Sequence, residues 1–250
     1  MEAAASAAPE GCLAAALSSG RSFLLRHICS VGGNWCSCST SSTMPIEIDQ
    51  NRLTVGCLVF NDFELLDVAG PLEMLGVPLT QKKFQIFLVS EHAGLICSKQ
   101  GVTVCADRSF ADCPPLDILL VPGGLGSRAA VNDTTLLDWL KSFPAANPKP
   151  LTFLASVCTG SAILAKAGLL DGKRATTNRQ AFPWVRSQSD QVSWVEDVRW
   201  VVDGNIITSA GVSAGMDMTL HLISLILGPA DAKVVADFAE YDGQWTDPTA

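Results

Sequence analysis

The stretch FLASVCTGSAILAKAGLL, residues 153–170, joins a strand-like run to a helix-like run at a single cysteine. The apolar residues that lead up to this cysteine belong to a predicted buried strand over 150–157. The small and helix-forming residues behind it predict a helix over 160–170, and Gly172 ends this strand–helix unit. Cys158 therefore lies at a sharp turn between a strand and a helix.

Outward from this turn, strands and helices alternate along the chain. Further strands are predicted over 53–60, 83–91 and 117–124, around LICS (95–98) and VTVCAD (102–107), and in a hairpin turned at Asp203–Gly204. Helices are predicted over 64–75, where Pro71 interrupts the helix, and over 133–143, 214–227 and 230–241. The alternation predicts an α/β fold, a three-layer sandwich in which helices cover both faces of a mostly parallel sheet. Sites in such folds form at the carboxyl ends of strands, near a switch in strand order.

The composition excludes several classes of protein. With 17 basic and 25 acidic residues the net charge is −8, so we expect no binding to nucleic acid, which needs a basic face. No run of about 18 apolar residues occurs, and we expect no membrane span. The nine cysteines show no regular framework spacing, which indicates a reduced protein in the cytoplasm.

The first 44 residues differ from the rest because they are rich in Ala, Ser, Gly and Cys. We interpret residues 1–44 as a low-complexity extension, either a transit-like segment that would direct import into an organelle or the product of a wrongly assigned start upstream of Met44. Residues 45–250 are predicted to form one domain. The histidine and cysteines of the extension do not have the spacing of a closed zinc site, and we predict no metal.

Cys158 is the first candidate for chemistry. Backbone N–H groups and the helix dipole at the start of a helix favour a thiolate, although a buried structural cysteine is the plain alternative. The chain has only three histidines, and His221 lies mid-helix among apolar residues. A carboxylate is therefore the better partner for the thiol. Asp67, between apolar residues of the first helix, is predicted to keep a proton near neutral pH and to donate it, unless it only caps the helix or forms a surface ion pair.

Two glycine-containing stretches are further candidates. VPGGLGSRA (121–129) follows a strand, and we predict that the N–H groups of Gly124 and of Thr159, directly after the cysteine, stabilise a developing negative charge. The alternatives for residues 121–129 are a plain tight turn and part of a dinucleotide-binding fingerprint. GVSAG (211–215) matches the elbow of serine hydrolases, but His221 in the same helix cannot reach Ser213. We interpret this stretch as a glycine-lined helix start that packs against the sheet.

These stretches together resemble one known family. LVFNDFELLDVAGPLEML, ILLVPGGLGSR, LASVCTGSAILAKAGLLDGKRATTN and ITSAGVSAGMDMTLHLI are similar to the ThiJ/PfpI (DJ-one/PfpI) superfamily, in particular to its isonitrile hydratase-like branch. The resemblance covers roughly 52–240. It implies a flavodoxin-like, class I glutamine amidotransferase-like fold, a Cys158 nucleophile beside Asp67, and backbone donors at Gly124 and Thr159. It also implies a homodimer without metal or organic cofactor.

Departures from the family pattern argue against some of the functions found in the family. Thr159 replaces the histidine of protease-like members, and Asn178 replaces a histidine found in many others. Regulator members carry a DNA-binding helix-turn-helix behind this domain, for which the sequence shows no room. The resemblance then implies a hydro-lyase that hydrates isocyanides, small-molecule substrates, to N-substituted formamides through a covalent thioimidate. The alternatives are a glyoxalase or deglycase acting on methylglyoxal-like aldehydes and a non-enzymatic oxidant sensor. Asn178, Phe182 and Trp184 are the predicted pocket residues.

Overall fold

The computed structural model describes residues 48–249, apart from the side chains of residues 144 and 145. The described residues belong to one compact unit, Thr40–Ala250. Our interpretations of residues 1–44, and the start of the domain at residue 45, lie outside them. Among the helices of the described part, none has the length and apolar character needed to cross a bilayer.

The centre of this unit is a seven-stranded sheet. The strands of the protein are β1 (Leu53–Leu58), β2 (Phe84–Ser90), β3 (Gly94–Cys97), β4 (Thr103–Ala106), β5 (Arg108–Ser109), β6 (Ile118–Val121), β7 (Phe153–Ser156), β8 (Arg174–Ala175), β9 (Ser193–Trp194), β10 (Trp200–Asp203) and β11 (Ile206–Ser209). The order in the large sheet is β10-β11-β7-β6-β1-β2-β5. Its pairs are parallel except for the hairpin β10–β11 at one edge. The pairs β3–β4 and β8–β9 form two small additional sheets.

Helices cover both faces of this sheet. They are α1 (Leu65–Gly76), α2 (Ser127–Ala130), α3 (Thr134–Ala146), α4 (Gly160–Lys166), α5 (Phe182–Arg186), α6 (Ala214–Leu227) and α7 (Pro229–Phe238). One apolar core holds side chains of α1, α6 and α7, for example Met74, Met218 and Val235. A second core holds side chains of α3 and α4, such as Leu140 and Ile163. The predicted three-layer α/β sandwich is confirmed.

Most predicted elements are present, and two need correction. The helix predicted over 160–170 ends at Lys166, because Gly168 adopts φ +76°, a left-handed conformation that ends a helix. The helix over 64–75 is not interrupted, since α1 continues through Pro71 to Gly76. A proline removes one backbone hydrogen bond. Here its buried ring packs beside α6 near Gly215, and that contact supports the continuous helix.

The chain order of the strands creates a switch point beside β1. From β1 the chain proceeds to β2 and β5 on one side, and then returns to β6 on the other. The loops that follow β1 and β6 bind each other there: Phe63 and Gly124 form an isolated β-bridge, and the N–H of Glu64 donates to the carbonyl oxygen of Gly123 (2.9 Å). The start of α1 is thereby fixed against the end of β6.

Candidate active site

Cys158 lies directly beyond β7 in a strained backbone conformation. Its φ is +55°, a region that few residues other than glycine adopt, and such strain is concentrated at functional sites. Three hydrogen bonds hold it. The Cys158 N–H donates to the carbonyl oxygen of Ala210 (3.1 Å), and the Cys158 carbonyl oxygen accepts from the hydroxyls of Ser161 (3.2 Å) and Thr177 (2.9 Å). The predicted sharp turn between strand and helix is thus present.

Gly160 makes this turn possible. A Cβ at this position would lie 2.2 Å from the carbonyl oxygen of Val121 and 2.8 Å from that of Pro122. Only a residue without a side chain lets α4 begin this close to the end of β6. The turn therefore places Cys158 against the loop that follows β6.

The structure brings Asp67 to the same place. Its side chain is fully buried in the first turn of α1, and its Oδ2 accepts the Gly123 N–H at 2.9 Å. Burial is the main cause that raises the pKa of the Asp67 carboxyl, which lies at about 7. The Gly123 hydrogen bond lowers this pKa, the charge of Glu64 raises it, and a hydrogen bond with the Cys158 thiol lowers it. Among the described residues, Oδ1 has no partner that meets hydrogen-bond geometry. The influence of the thiol on this pKa indicates that Cys158 is the group it faces.

The resting thiol is more basic than the sequence suggests. Burial and then the charge of Asp67 raise the pKa of Cys158 to about 12, although the N–H groups of Thr159 and Val212 and the Asn178 side chain lower it. The Thr159 N–H at the helix start does favour the thiolate, as predicted, but burial outweighs it and the resting protein holds a neutral thiol. Cys158 is only 6% exposed, and α4 has only seven residues, so desolvation outweighs the helix dipole. The resting cysteine is a neutral thiol next to a carboxyl that titrates near pH 7.

Asn178 is oriented toward this thiol. Its Oδ1 accepts the N–H of Ala181 at 3.1 Å, which leaves the amide N–H groups as the donors that lower the pKa of Cys158. Gly211 gives the amide room, because a Cβ there would lie 2.3 Å from Nδ2. The residue predicted as part of a pocket thus lies beside the sulfur, as a fixed hydrogen-bond donor.

Gly124 has a different environment from the one we expected. Its N–H already donates to Thr159 Oγ1 (3.0 Å), and Ser127 Oγ lies 2.9 Å from the same oxygen. The Thr159 N–H, in contrast, acts on the sulfur of Cys158. The stabilisation of negative charge by Gly124 and Thr159 stays a prediction, and in this geometry the Thr159 N–H is the better placed of the two.

The sequence reasoning missed Val212. This residue has φ +45°, unusual for a β-branched side chain, and its N–H acts on the Cys158 sulfur together with that of Thr159. The sequence GVSAG (211–215) does match the pattern of a sharp turn at the start of a helix, but that pattern pointed to Ser213 rather than to Val212. Ser213 precedes the first residue of α6, and His221 packs near Trp200, with 5.2 Å between ring centroids.

The two aromatic residues predicted as pocket walls have other neighbours. Phe182 is buried and lies edge-on to Trp194, with 6.3 Å between ring centroids. Trp184 carries the guanidinium of Arg128 over its ring at 3.8 Å. Their role in a pocket stays a prediction. In the part of the chain that the structure describes, no three His, Cys, Asp or Glu side chains are grouped to hold a metal ion.

Comparison with known proteins places these residues in a family. Residues 54–225 match the DJ-1/PfpI family. The chain belongs to this family. The match includes Asp67, Gly124, Cys158 and Asn178, so the resemblance inferred from the sequence is confirmed.

Individual members of the family have different named activities. An isonitrile hydratase of Pseudomonas putida is 36% identical over 189 residues, which cover 76% of this chain and 78% of that protein. A deglycase of Pyrococcus horikoshii is 30% identical over 157 residues, 61% of this chain and 86% of that protein. A solved structure of a ThiJ/PfpI family protein from Pseudomonas syringae superimposes with a TM-score of 0.67 at 28% identity, over 81% of this chain and 85% of that one. The flavodoxin-like fold is shared with this solved structure.

Proposed function

We propose that the protein hydrates isocyanides to N-substituted formamides, with Cys158 as nucleophile and Asp67 as proton carrier. The observation that carries this proposal is the pairing of a buried thiol with a buried carboxyl whose pKa is about 7, in a turn that contains no histidine. Similarity to an isonitrile hydratase over three quarters of the chain supports this choice of substrate.

The reaction begins with transfer of the thiol proton. The ionised form of Asp67 accepts the proton of Cys158, and the new thiolate attacks the terminal carbon of R–N≡C. Asp67 then delivers the proton to that carbon, which gives the thioimidate R–N=CH–S–Cys158. A carboxyl with a pKa near 7 suits this transfer, because its ionised form is present at neutral pH to accept the thiol proton and its protonated form is acidic enough to deliver that proton to the carbon.

Water completes the cycle. It adds to the thioimidate carbon, and a proton moves to the nitrogen, to form R–NH–CH(OH)–S–Cys158. The C–S bond breaks, the hydroxyl loses its proton as the carbonyl forms, and the formamide leaves with a neutral thiol restored. The N–H groups of Thr159 and Val212 and the amide of Asn178 stabilise the sulfur anion each time it forms, because all three already act on this atom.

Deglycase or glyoxalase action is the second candidate. It is favoured by similarity to the Pyrococcus horikoshii deglycase and uses the same cysteine to form a hemithioacetal with an aldehyde. Asn178 weighs against it, since an amide cannot act as the base that a histidine provides at this position in many relatives. An oxidant sensor is less well supported, because sensor cysteines are exposed and acidic, whereas Cys158 is buried with a raised pKa.

We also propose that the protein is a homodimer, as expected from its family. Leu66 on α1 and Leu95 and Val102 on the β3–β4 hairpin are exposed apolar side chains (37%, 69% and 46%). The hairpin contacts the start of α1 through a hydrogen bond from Leu65 N–H to Gln100 Oε1, so these side chains share one region of the surface. We expect the Leu95→Asp variant to sediment as a monomer. The control variant, Leu225→Asp on α6, should sediment as a dimer. A monomeric wild type would refute this proposal.

Turnover assays test the proposed reaction. The full chain, Cys158→Ser and Asp67→Asn each receive a panel of isocyanides and, in parallel, methylglyoxal, and formamide and lactate are quantified. We expect formamide from the wild type, none above background from Cys158→Ser, and a rate lower by about 10²- to 10⁴-fold from Asp67→Asn. Lactate without formamide would assign the protein to the glyoxalase class. Formamide production by Cys158→Ser at the wild-type rate would refute the role of the cysteine.

A further inference from the structure

A cavity of about 320 Å³ lies at the same edge of the sheet as Cys158 but away from the thiol. Residues that follow β1 and β2, the last residue of β2, and residues of α2 and of the start of α3 line it, among them Asn61, Ser90 and Ala129. Neither Cys158 nor Asp67 belongs to this lining. Because Ser127 on α2 contacts Thr159 while Ala129 lines the cavity, α2 separates the two sites. The carboxyl ends of strands in an open α/β sheet are where ligands bind, and the volume suits a small molecule.

The floor of this cavity combines apolar surface with one unused hydroxyl. Val59, Ile96, Phe110 and Leu136 provide the apolar part. Ser90 is 5% exposed, and within residues 48–249 its hydroxyl has no hydrogen-bond partner. A buried polar group without a partner costs free energy unless water or a ligand supplies the missing bond. The Ser90 hydroxyl is therefore free to bond a polar group of a ligand inside the cavity.

The charge of the lining is negative. Glu91 and Asp133 contribute carboxylates, and none of the described lining residues is lysine or arginine. Asp133 uses Oδ1 to accept the Leu136 N–H at 3.1 Å as the cap of α3, which leaves Oδ2 for a ligand. His92 lies 3.6 Å from Glu91, with its side chain 86% exposed. An anion would be repelled from this lining, whereas a cation finds two acceptors.

We propose that this cavity binds a small organic cation, a protonated amine with a compact apolar body. The ammonium group donates to the carboxylates of Glu91 and Asp133 and to the Ser90 hydroxyl oxygen. The apolar body packs on Phe110, Ile96 and Leu136. The site is independent of the isocyanide reaction, since it shares no side chain with Cys158 or Asp67.

Calorimetric titration of the full-length protein with benzylammonium tests this proposal. Benzyl alcohol and benzoate serve as probes of the same size without the positive charge. We expect benzylammonium to bind with a Kd of about 1 mM or tighter, and both uncharged and anionic probes to bind at least several-fold more weakly. Glu91→Gln and Asp133→Asn should each weaken benzylammonium binding by about two- to fivefold, as expected for exposed charge pairs, and the double variant by roughly tenfold.

The variants are chosen to leave the fold unchanged. Asparagine caps a helix as well as aspartate does, so Asp133→Asn keeps the bond to Leu136 and removes only the charge. Cys158→Ser should bind benzylammonium like the wild type, which separates this site from the catalytic one. Absence of binding at about 10 mM, benzoate binding as tight as that of benzylammonium, or unchanged affinity in the double variant would each overturn the proposal.

Discussion

The Gly123 N–H donates to Asp67 Oδ2 at 2.9 Å, and this bond ties the loop after β6 to the side chain in the first turn of α1. It occupies one carboxyl oxygen and leaves the other toward the Cys158 thiol. The bond stabilises the ionised form of a carboxyl that burial would otherwise keep protonated. The balance of the two effects brings the pKa of Asp67 to about 7, where one group can accept and return a proton.

Asp67→Asn should lower formamide turnover by about 10²- to 10⁴-fold, the range for loss of a general acid–base group. Asparagine keeps an oxygen for the Gly123 N–H but cannot carry a proton. The measurement is kcat for an isocyanide across pH 5–9, and circular dichroism checks the fold. Turnover within threefold of the wild type would show that the thiol proton takes another route.

Glu64→Gln removes the carboxylate next to Asp67 and leaves Asp67 itself in place. The charge of Glu64 raises the pKa of Asp67, so its loss should move the Asp67-dependent limb of the pH–rate profile to lower pH. The maximum rate should change little, because Glu64 Oε1 accepts from Gln100 Nε2 and Glu64 is not among the groups that shift the pKa of Cys158. A profile that moves to higher pH would contradict the assignment of this limb to Asp67.

The raised pKa of Asp67 also predicts how stability depends on pH. The unfolded chain loses this proton near pH 3.8, whereas the folded protein keeps it until about pH 7, so the group destabilises the fold increasingly as pH rises through that window. Asp67→Asn lacks this penalty. Its free energy of unfolding relative to that of the wild type should rise by roughly 2–4 kcal/mol between pH 4 and pH 8. Urea unfolding of both proteins at these two pH values measures the change, and a constant difference would contradict it.

The sequence predicted the Cys158–Asp67 pairing because both residues follow simple rules. Cys158 follows a buried strand, and Asp67 lies in the helix after the first strand. In a parallel sheet these positions meet at one edge, beside the switch point. Patterns of apolar residues along the chain are enough to locate both, and the bounds of α6 at 214 and 227 followed from the same patterns.

The environment of the thiol could not be predicted in this way. The pKa of Cys158 depends on how deeply the sulfur is buried and on the charge of Asp67, which are properties of packing between distant segments. The contacts of Val212 and Asn178 with the sulfur likewise join segments far apart in sequence. The hydrogen bond from the Gly124 N–H to the Thr159 hydroxyl could not be predicted either, because the two residues lie 35 positions apart.

Asn178→Asp tests the role of the amide without disturbing its anchor. An aspartate oxygen still accepts the Ala181 N–H, but the donor toward Cys158 is replaced by a negative charge. The thiolate is then less stable, and turnover should fall by about 10²-fold or more. Asn178→Ala should lose about 10-fold or more in turnover, together with about 1 kcal/mol of stability from the lost hydrogen bond to the Ala181 N–H. The measurements are kcat and thiolate absorbance against pH, and an unchanged thiol titration in Asn178→Asp would refute the contact.

Gly123→Ala tests the close approach between the loop after β6 and the cysteine turn. A Cβ at this position would lie 2.4 Å from Thr159 N and 3.0 Å from Cys158 Cβ, distances at which backbone must move. We expect a loss of about 1–3 kcal/mol in the free energy of unfolding and a fall in kcat, because the Thr159 N–H is displaced from the sulfur. Gly76→Ala, at the end of α1, is the control: a Cβ there meets no atom within 4 Å, so stability and kcat should stay near those of the wild type. The measurements are the free energy of unfolding in denaturant and kcat for an isocyanide, for both variants. Equal stability and activity in both would mean that this approach does not hold the catalytic turn in place.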